Sequence, residues 1–225
     1  MTTGIINAAV FLDKSFNKSY SEFMADTIGN LALNKHYTYA DYKDWKLVDG
    51  ERYELIYGRA YCISKPDAYG MSAPGAYHQL ILGELYRQIA TYLIGKPCKV
   101  FPAPFDVRLF YEEDENDGTV VQPDISIICD PKKRGPEGVR GAPDFIAEIL
   151  SPSNTAIEME RKFHLYREAG VREYWVINPE QKALSVYNFK DGVVFPFTYH
   201  STDTVKVGIF SDLGIVLESV FADNE

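Results

Sequence analysis

The length and composition of the chain are typical of a soluble globular protein. It has 225 residues, of which 46% are hydrophobic, 14% aromatic and 24% charged, a balance that excludes a disordered chain and provides for a sizeable core. No apolar run reaches the roughly 18–20 residues that a membrane helix needs, and the N-terminal region lacks the pattern of a secretory signal. The formal net charge of −9 disfavours strong non-specific binding to nucleic acid.

The three cysteines predict free thiols. Cys62, Cys98 and Cys129 are odd in number, far apart in the sequence and contain no CxxC pair. This pattern favours buried thiols in a reducing cytoplasm and argues against both a disulfide framework and a zinc site.

The first third of the chain is predicted to contain an extension, a short helix and a hairpin. Residues 1–36 have weak periodicity and are interpreted as an N-terminal extension, which leaves residues 37–225 as the main domain. Thr38 and Asp41 have the spacing of a capping box at a helix start, although Asp replaces the usual Glu. The segment ERYELIYGRAYCIS contains two β-rich runs around Tyr57-Gly58 and predicts a β-hairpin.

The remainder of the chain alternates between helix and strand signals. Apolar residues at helical spacing predict a helix over residues 74–94, with Pro74 in its first turn and Gly95 after its end. The predicted strands are residues 99–111, 120–129, 144–150 and 171–178. Because Pro102 and Pro104 interrupt the first of them, only its part from residue 105 is expected to pair with other strands. A helix is predicted over residues 155–169, and Lys190-Asp191-Gly192 is a hairpin signal. The order helix, three strands, helix, strand predicts a mixed α/β domain around a central sheet.

A glutamate within the third predicted strand raises the question of its partner. In PDFIAEILSPSN, Glu148 lies among apolar residues, and an unpaired buried carboxylate costs several kcal/mol. Because side chains alternate along a strand, Glu148 could meet Asp124 and Asp106 if the three predicted strands are neighbours. Carboxylates that converge in this way need a cation, and oxygen ligands alone fit Mg²⁺ or Mn²⁺ better than zinc.

Each of the other acids also has a simpler interpretation. Asp106 is as well explained by a hydrogen bond or an arginine partner, and Asp124, after Pro123, by a role in orienting a strand end. Glu54, in the predicted hairpin, could face a carboxylate cluster or solvent. The residues themselves leave these alternatives open.

Lys162 and His78 are similarly ambiguous. Lys162 shares a helix face with Tyr166, but Glu158 lies four residues before it in the order that favours a surface ion pair, and that pair is the favoured interpretation. His78 lies early in the long predicted helix, where a single histidine is more often structural.

Three segments together resemble a known family. QPDISIICD, DFIAEILSPSN and RKFHLYREAGVREYWVINPE are similar to the Uma-two-type family of bacterial restriction endonuclease-like proteins, a branch of the PD-(D/E)XK nuclease superfamily. The resemblance extends from about Tyr37 to the segment LGIVLESVF. It implies a restriction endonuclease-like core of helix, three strands, helix and strand, with an extra N-terminal helix and hairpin and C-terminal β-hairpins.

The resemblance also implies roles for the ambiguous residues. Pro123-Asp124 matches the PD element and Glu148 the acidic position of the second element, but Leu150 stands where that element has lysine. Lys162, in the following helix, matches the lysine of this branch. Glu54 and Asp106 match its acidic positions and His78 a frequent histidine.

The implied function is metal-dependent cleavage of phosphodiester bonds. Asp124, Glu148 and Asp106 are the expected Mg²⁺ or Mn²⁺ ligands, and the expected catalytic residues are Asp124, Glu148, Lys162, Glu54 and His78. The expected partner is nucleic acid, with DNA favoured, contacted through a basic loop that contains Lys132, Lys133, Arg134 and Arg140. A homodimer and a cytoplasmic location without membrane contact are further expectations.

Two other functions stay open at this point. One is a catalytically inactive nucleic-acid-binding or oligomerisation module that keeps the nuclease fold. The other is a carboxylate-pair hydrolase acting on sugars, in which Lys162 has no role.

Overall fold

The computed structural model describes residues 35–45, 51–64, 75–152, 154–191 and 195–222. The predicted extension lies outside these ranges except for Lys35 and His36, and so does Pro74, the predicted first residue of the long helix. Both predictions therefore stay predictions.

Helices and strands alternate along the described chain. The α-helices are α1 (Tyr39–Tyr42), α2 (Ala76–Tyr92), α3 (Ala156–Ala169) and α4 (Leu217–Val220). The strands are β1 (Arg52–Ile56), β2 (Arg59–Ser64), β3 (Lys99–Pro102), β4 (Val107–Arg108), β5 (Val120–Val121), β6 (Ile125–Ile128), β7 (Val139–Arg140), β8 (Phe145–Ile149), β9 (Glu173–Asn178), β10 (Ala183–Asn188), β11 (Phe197–His200), β12 (Thr204–Lys206) and β13 (Gly214–Val216).

The central sheet has the strand order β11-β10-β9-β8-β6-β3. Neighbouring strands are antiparallel except β8 and β9, which are parallel and connected through α3. Taken in chain order, α2, β3, β6, β8, α3 and β9 reproduce the predicted order of helix, three strands, helix and strand. The predicted fold class is confirmed.

The first strand of this core is not the one that the sequence indicated. Residues 105–111 were expected to form it, but the central sheet instead contains β3, and the later segment contributes the two-residue strand β4 to a second sheet. The physical reason is position: β3 lies at the edge of the sheet, where Pro102 can be accommodated at a strand end.

The predicted strand over residues 120–129 is likewise divided. Its first part, β5, belongs to a second sheet of order β2-β1-β5-β4-β7, and its last part, β6, to the central sheet. Pro123 has no N–H to donate to a ladder, and the chain passes between the sheets at this point. The break places Asp124 immediately before β6 rather than within a strand.

The turn at Tyr57-Gly58 and the predicted caps at Thr38 and Gly170 are confirmed, whereas Gly192 of the predicted turn at Lys190-Asp191-Gly192 lies outside the described residues. Tyr57 and Gly58, at the turn of the β1–β2 hairpin, both have positive φ. Helix α1 begins with the expected capping box of Thr38 and Asp41. Helix α3 begins at the N-cap Thr155 and ends at Gly170, whose φ of 89° is the left-handed conformation that glycine adopts at low cost.

The central sheet is covered on both faces. On one face, Ile81, Leu85 and Ile89 of α2 pack with Phe145 and Ala147 of β8. On the other face, Leu165 and Tyr166 of α3 pack with Ile146 of β8 and Tyr174 of β9. The alternation along β8 therefore directs Glu148, which shares a face with Ile146, towards α3.

The cysteine prediction is wrong for two of the three thiols. Cys98 and Cys129 form a disulfide, and Cys62 keeps its thiol. Lys99 of β3 lies opposite Ile128 of β6, so the residues that flank this pair face each other at the next position of the register. Sequence separation hid this proximity, because it arises from strand pairing.

Candidate active site

Glu148 is buried at the interface between the central sheet and α3, with 7% of its surface exposed. One of its oxygens, Oε1, accepts hydrogen bonds from Lys162 Nζ at 3.0 Å and from the Tyr166 hydroxyl at 2.6 Å. Lys162 and Tyr166 are four residues apart on α3, so one helix face presents both donors.

Lys162 also contacts a carboxylate of the second sheet. Its Nζ lies 3.3 Å from Oε1 of Glu54 on β1, and the same oxygen accepts a hydrogen bond from the backbone N–H of Gln122 at 3.1 Å. Glu54 is 1% exposed, so the interpretation of this residue as solvent-facing is wrong. The interpretation of Lys162 as a surface partner of Glu158 is also wrong, because Lys162 is buried and Glu158 binds Asn154.

Asp124 lies beside Glu148 at the same end of the central sheet. Its Oδ2 accepts a hydrogen bond from the backbone N–H of Ile149 at 2.7 Å and lies 3.3 Å from Nε2 of His78. Its side chain is 18% exposed, which makes it the more accessible of the two acids. The break between β5 and β6 thus presents a carboxylate next to the one on β8.

His78 lies in the first turn of α2 and contacts Asp124. Burial lowers the pKa of His78, but the hydrogen bond and the charge of Asp124 outweigh this effect and raise the pKa above its ordinary value. Its Nδ1 is buried and has no hydrogen-bond partner in the part of the chain that the structure describes.

Asp106 belongs to a neighbouring network. Its Oδ1 accepts hydrogen bonds from Gln122 Nε2 at 2.8 Å and from the Tyr42 hydroxyl at 3.2 Å. No contact among the described residues joins Asp106 to Asp124 or Glu148. Gln122 connects the networks, because its backbone binds Glu54 while its side chain binds Asp106.

The charges of the site form one coupled system. Burial raises the pKa of Glu148 to about 7; Lys162 opposes this rise, and the charges of Asp124 and Glu54 add to it. Burial lowers the pKa of Lys162, but Glu148 and Glu54 raise it well above its ordinary value. Three carboxylates therefore have two cationic partners, Lys162 for Glu148 and Glu54 and His78 for Asp124, and the remaining negative charge is relieved by a proton on Glu148 or by a further cation.

The donor set fits a hard divalent cation. Glu148 Oε2 and Asp124 Oδ1 accept no hydrogen bond from any described residue, whereas their partner oxygens are held in place. Within the described ranges, no group of three or more His, Cys, Asp or Glu side chains forms a ready-made metal cluster. Mg²⁺ binds through one or two carboxylates and retains several waters, so two free carboxylate oxygens are a sufficient protein contribution.

The structure thus brings together five of the six predicted site residues. Lys162 contacts Glu148 and Glu54 directly, and His78 contacts Asp124. The backbone N–H of Ile149, next to Glu148, connects Asp124 to the first group, and Asp106 joins through Gln122. The sequence reasoning assigned no role to Tyr166, Gln122 and Tyr42. The spacing of Lys162 and Tyr166 indicated a shared face, but nothing in the sequence indicated what that face contacts.

The predicted basic loop is partly engaged in contacts of its own. Lys133 donates a hydrogen bond to the carbonyl of Ala142, and Arg140 lies 3.8 Å from a carboxylate oxygen of Glu137. Lys132 is exposed and remains available. In the described part of the chain, no helix is both long and apolar enough to cross a bilayer.

A central sheet of this order, with a buried lysine set against strand carboxylates, defines a nuclease-like α/β protein. The chain belongs to the Uma2 family, described as "Putative restriction endonuclease", whose model matches residues 39–215. The resemblance inferred from the sequence motifs is confirmed.

One curated protein and one solved structure are also similar to this chain. An uncharacterised protein of Synechocystis sp., slr1290, is 24% identical over 132 residues, which are 58% of this chain and 67% of the relative. A crystal structure from Anabaena variabilis, titled a "putative nuclease belonging to DUF820", superposes with a TM-score of 0.61 over 82% of this chain and 97% of the other, at 18% identity. At that identity the likeness shows the shared fold.

Proposed function

We propose that this chain is a metal-dependent endonuclease that hydrolyses phosphodiester bonds in DNA. The observation that carries the proposal is the arrangement around Glu148: Oε1 is held by Lys162 and Tyr166, and the charge of Asp124 acts on the same carboxyl group. Glu148 Oε2 and Asp124 Oδ1 accept no hydrogen bond from a described residue. Membership of a family described as restriction endonucleases supports DNA as the substrate. This last step is an analogy between relatives.

Asp124 and Glu148 would hold the metal. Mg²⁺ or Mn²⁺, when bound, would polarise the phosphoryl group and lower the pKa of a coordinated water. One oxygen of each acid is fixed by a hydrogen bond within the protein. The Ile149 N–H donates to Asp124 Oδ2, and Lys162 of α3 donates to Glu148 Oε1. A cation would also offset the negative charge of the three carboxylates that Lys162 and His78 do not neutralise.

Lys162 acts in this proposal as a charged donor. Its pKa lies well above its ordinary value, so it carries an ammonium group at neutral pH and is not available as a proton acceptor. An ammonium group in a buried site can orient a water molecule and offset the negative charge that develops on the phosphoryl oxygens. Both functions need the group in a fixed position, which Glu54 and Glu148 provide.

The remaining residues are positioning residues. Glu54 orients Lys162, and His78 orients Asp124. Asp106 and Tyr42 hold the side chain of Gln122, whose backbone in turn binds Glu54. The role of Asp106 as a metal ligand, expected from the resemblance, stays a prediction, and its contacts support this indirect role.

The test is an endonuclease assay on supercoiled plasmid DNA, on linear duplex and on RNA, with Mg²⁺, with Mn²⁺ and with EDTA. The wild type is expected to nick or cut DNA when metal is present, and Glu148→Gln, which keeps the shape of the side chain, is expected to be inactive. Glu158→Gln is the matched control, because Glu158 is an acid of α3 whose hydrogen bond is to Asn154. Cleavage that survives Glu148→Gln overturns the assignment.

Metal binding is measured separately by calorimetry with Mn²⁺. Asp124→Asn is expected to weaken binding at least tenfold, whether or not the protein cleaves anything. Binding without cleavage of any nucleic acid would favour the alternative of an inactive module that keeps the nuclease fold.

A further inference from the structure

We infer that Arg161, stacked on the ring of Tyr61, forms a subsite for a second backbone phosphate of the nucleic acid, next to the phosphate that reacts. The inference rests on the proposed function for its substrate class. It concerns two residues that neither the sequence motifs nor the comparisons single out. The Arg161 guanidinium carbon lies 3.9 Å from the Tyr61 ring centroid.

The position of this pair relative to the site follows from strand register. Tyr61 of β2 lies directly opposite Glu54 of β1, and side chains of such a pair are about 5 Å apart on one face. Arg161 precedes Lys162 in α3, and Lys162 contacts Glu54. Two consecutive cations of α3 therefore contact the two members of one cross-strand pair. Lys162 is buried, whereas Arg161 and Tyr61 are half-buried at the rim.

The guanidinium of Arg161 has unused hydrogen-bonding capacity. Its Nε–H is buried and has no hydrogen-bond partner among the described residues, which is unfavourable for a charged donor. No described carboxylate pairs with it. By contrast, Arg87 binds Glu84 through a pair of hydrogen bonds, and the acids of the site, Glu54 and Glu148, are occupied by Lys162. An anion is therefore the partner that Arg161 lacks.

The chemistry of the pair favours a phosphate. A guanidinium presents a planar fork of donors that matches two phosphate oxygens, and stacking on an aromatic ring fixes the plane of that fork. A nucleic acid carries phosphates at regular spacing, so a strand that presents one phosphate to Lys162 presents a neighbour along the same surface. In a chain of net charge −9, such a local cation is also the contact that overcomes the general repulsion.

The test separates binding from cleavage. A fluorescein-labelled DNA oligonucleotide is titrated with protein and followed by anisotropy in EDTA and in Ca²⁺, at KCl concentrations from 50 to 200 mM. Arg161→Gln is expected to weaken binding by about three- to tenfold and to reduce the slope of log affinity against log salt by about one. Arg161→Lys keeps the charge and is expected to keep the slope, with lower affinity because the fork is lost.

Three further variants test whether the Tyr61 ring contributes to binding and whether the loss of affinity is specific to Arg161. Tyr61→Phe keeps the ring and is expected to bind like the wild type, whereas Tyr61→Leu is expected to weaken binding at least twofold. Arg87→Gln is the matched control, an exposed arginine of α2, and is expected to change affinity by less than twofold. Thermal unfolding of each variant shows whether it is folded; if Arg161→Gln is not, Arg161→Lys and Tyr61→Leu carry the test.

The outcomes distinguish this inference from the proposed function. If the wild type cleaves DNA and Arg161→Gln has the same slope of log affinity against log salt as the wild type, the phosphate subsite is overturned and the nuclease proposal stands. A reduced slope in a protein that cleaves no nucleic acid supports the subsite and overturns the nuclease proposal. A wild type that binds no oligonucleotide at 50 mM KCl overturns the subsite.

Discussion

Lys162 neutralises carboxylates from two different sheets. Its ammonium group lies 3.0 Å from Glu148 on the central sheet and 3.3 Å from Glu54 on the second sheet. Removal of such a buried cation is destabilising, because it leaves two buried acids without a partner. The same position makes it the residue whose loss affects both folding and the proposed reaction.

Lys162→Met is predicted to lower the free energy of unfolding by about 3–5 kcal/mol and to reduce cleavage by at least about 100-fold. Urea unfolding and the plasmid assay measure the two effects. Lys43→Met is the control: Lys43 forms an exposed pair with Glu115, and its loss should leave stability nearly unchanged. Equal effects of the two substitutions on stability would contradict the buried network.

Glu148 should make stability depend on pH. An unfolded glutamate releases its proton near pH 4.5, whereas burial raises the folded pKa to about 7. Between these values the folded protein holds a proton that the unfolded chain has lost, so stability falls as pH rises, by up to about 3 kcal/mol.

Glu148→Gln is predicted to remove this part of the pH dependence. Urea unfolding at pH 5 and pH 7.5, without divalent metal, measures the difference between wild type and variant. Other buried carboxyls, such as Glu173, contribute equally to both proteins and cancel. Parallel pH profiles would show that Glu148 is not the group that holds the proton.

At the scale of elements, α3 determines the site. Its limits were predictable, because Thr155 caps its start and Gly170 suits its end. The surface against which α3 packs was not predictable, because helical periodicity shows which residues share a face and leaves open what that face contacts. The choice between Glu158 and Glu148 as partner of Lys162 depends on how α3 packs against β8, which is a long-range contact.

The strands show the same limit. Residues 145–149 were predictable as a buried strand from their composition, whereas the membership of β3, β4, β5 and β6 in two sheets was not. Prolines mark where a strand can end but not which sheet the next residues join. Asp124 was identified from the PD element, and its contact with the Ile149 N–H required the register of β6 and β8.

The disulfide between Cys98 and Cys129 attaches the edge strand β3 to β6. Its two residues are separated by 31 positions, so the link is predicted to contribute about 3–4 kcal/mol by restricting the unfolded chain. The double variant Cys98→Ser/Cys129→Ser should lose this amount and should not respond to reductant, whereas Cys62→Ser should keep the response. Urea unfolding with and without dithiothreitol measures both.

Thiol titration of denatured protein provides the direct check. Before reduction it should find one thiol per chain, Cys62, and after reduction all three. Three thiols in protein purified without reductant would contradict the disulfide.

At the scale of the whole molecule, charge limits how this protein meets nucleic acid. Arginines and lysines across the described surface, including Arg87, Lys43 and Arg172, pair with carboxylates. With a net charge of −9, binding should therefore depend on a few local contacts.

The predicted slope of log affinity against log salt is about −1 to −3, much shallower than that of strongly basic DNA-binding proteins. Between 50 and 200 mM KCl, affinity should fall by about 4- to 60-fold, which anisotropy measures directly. A slope steeper than about −5 would require an extended positive surface and would contradict this account.

The position of Lys162 on a helix rather than on the strand of Glu148 has a consequence for the order in which the site is completed during synthesis. Glu54, Asp124 and Glu148 all emerge from the ribosome before Lys162 and Tyr166. A nascent chain that ends before α3 has the acids without the ammonium group that neutralises them. Docking of α3 on β8 is therefore the event that assembles the site, and a partly made chain lacks it.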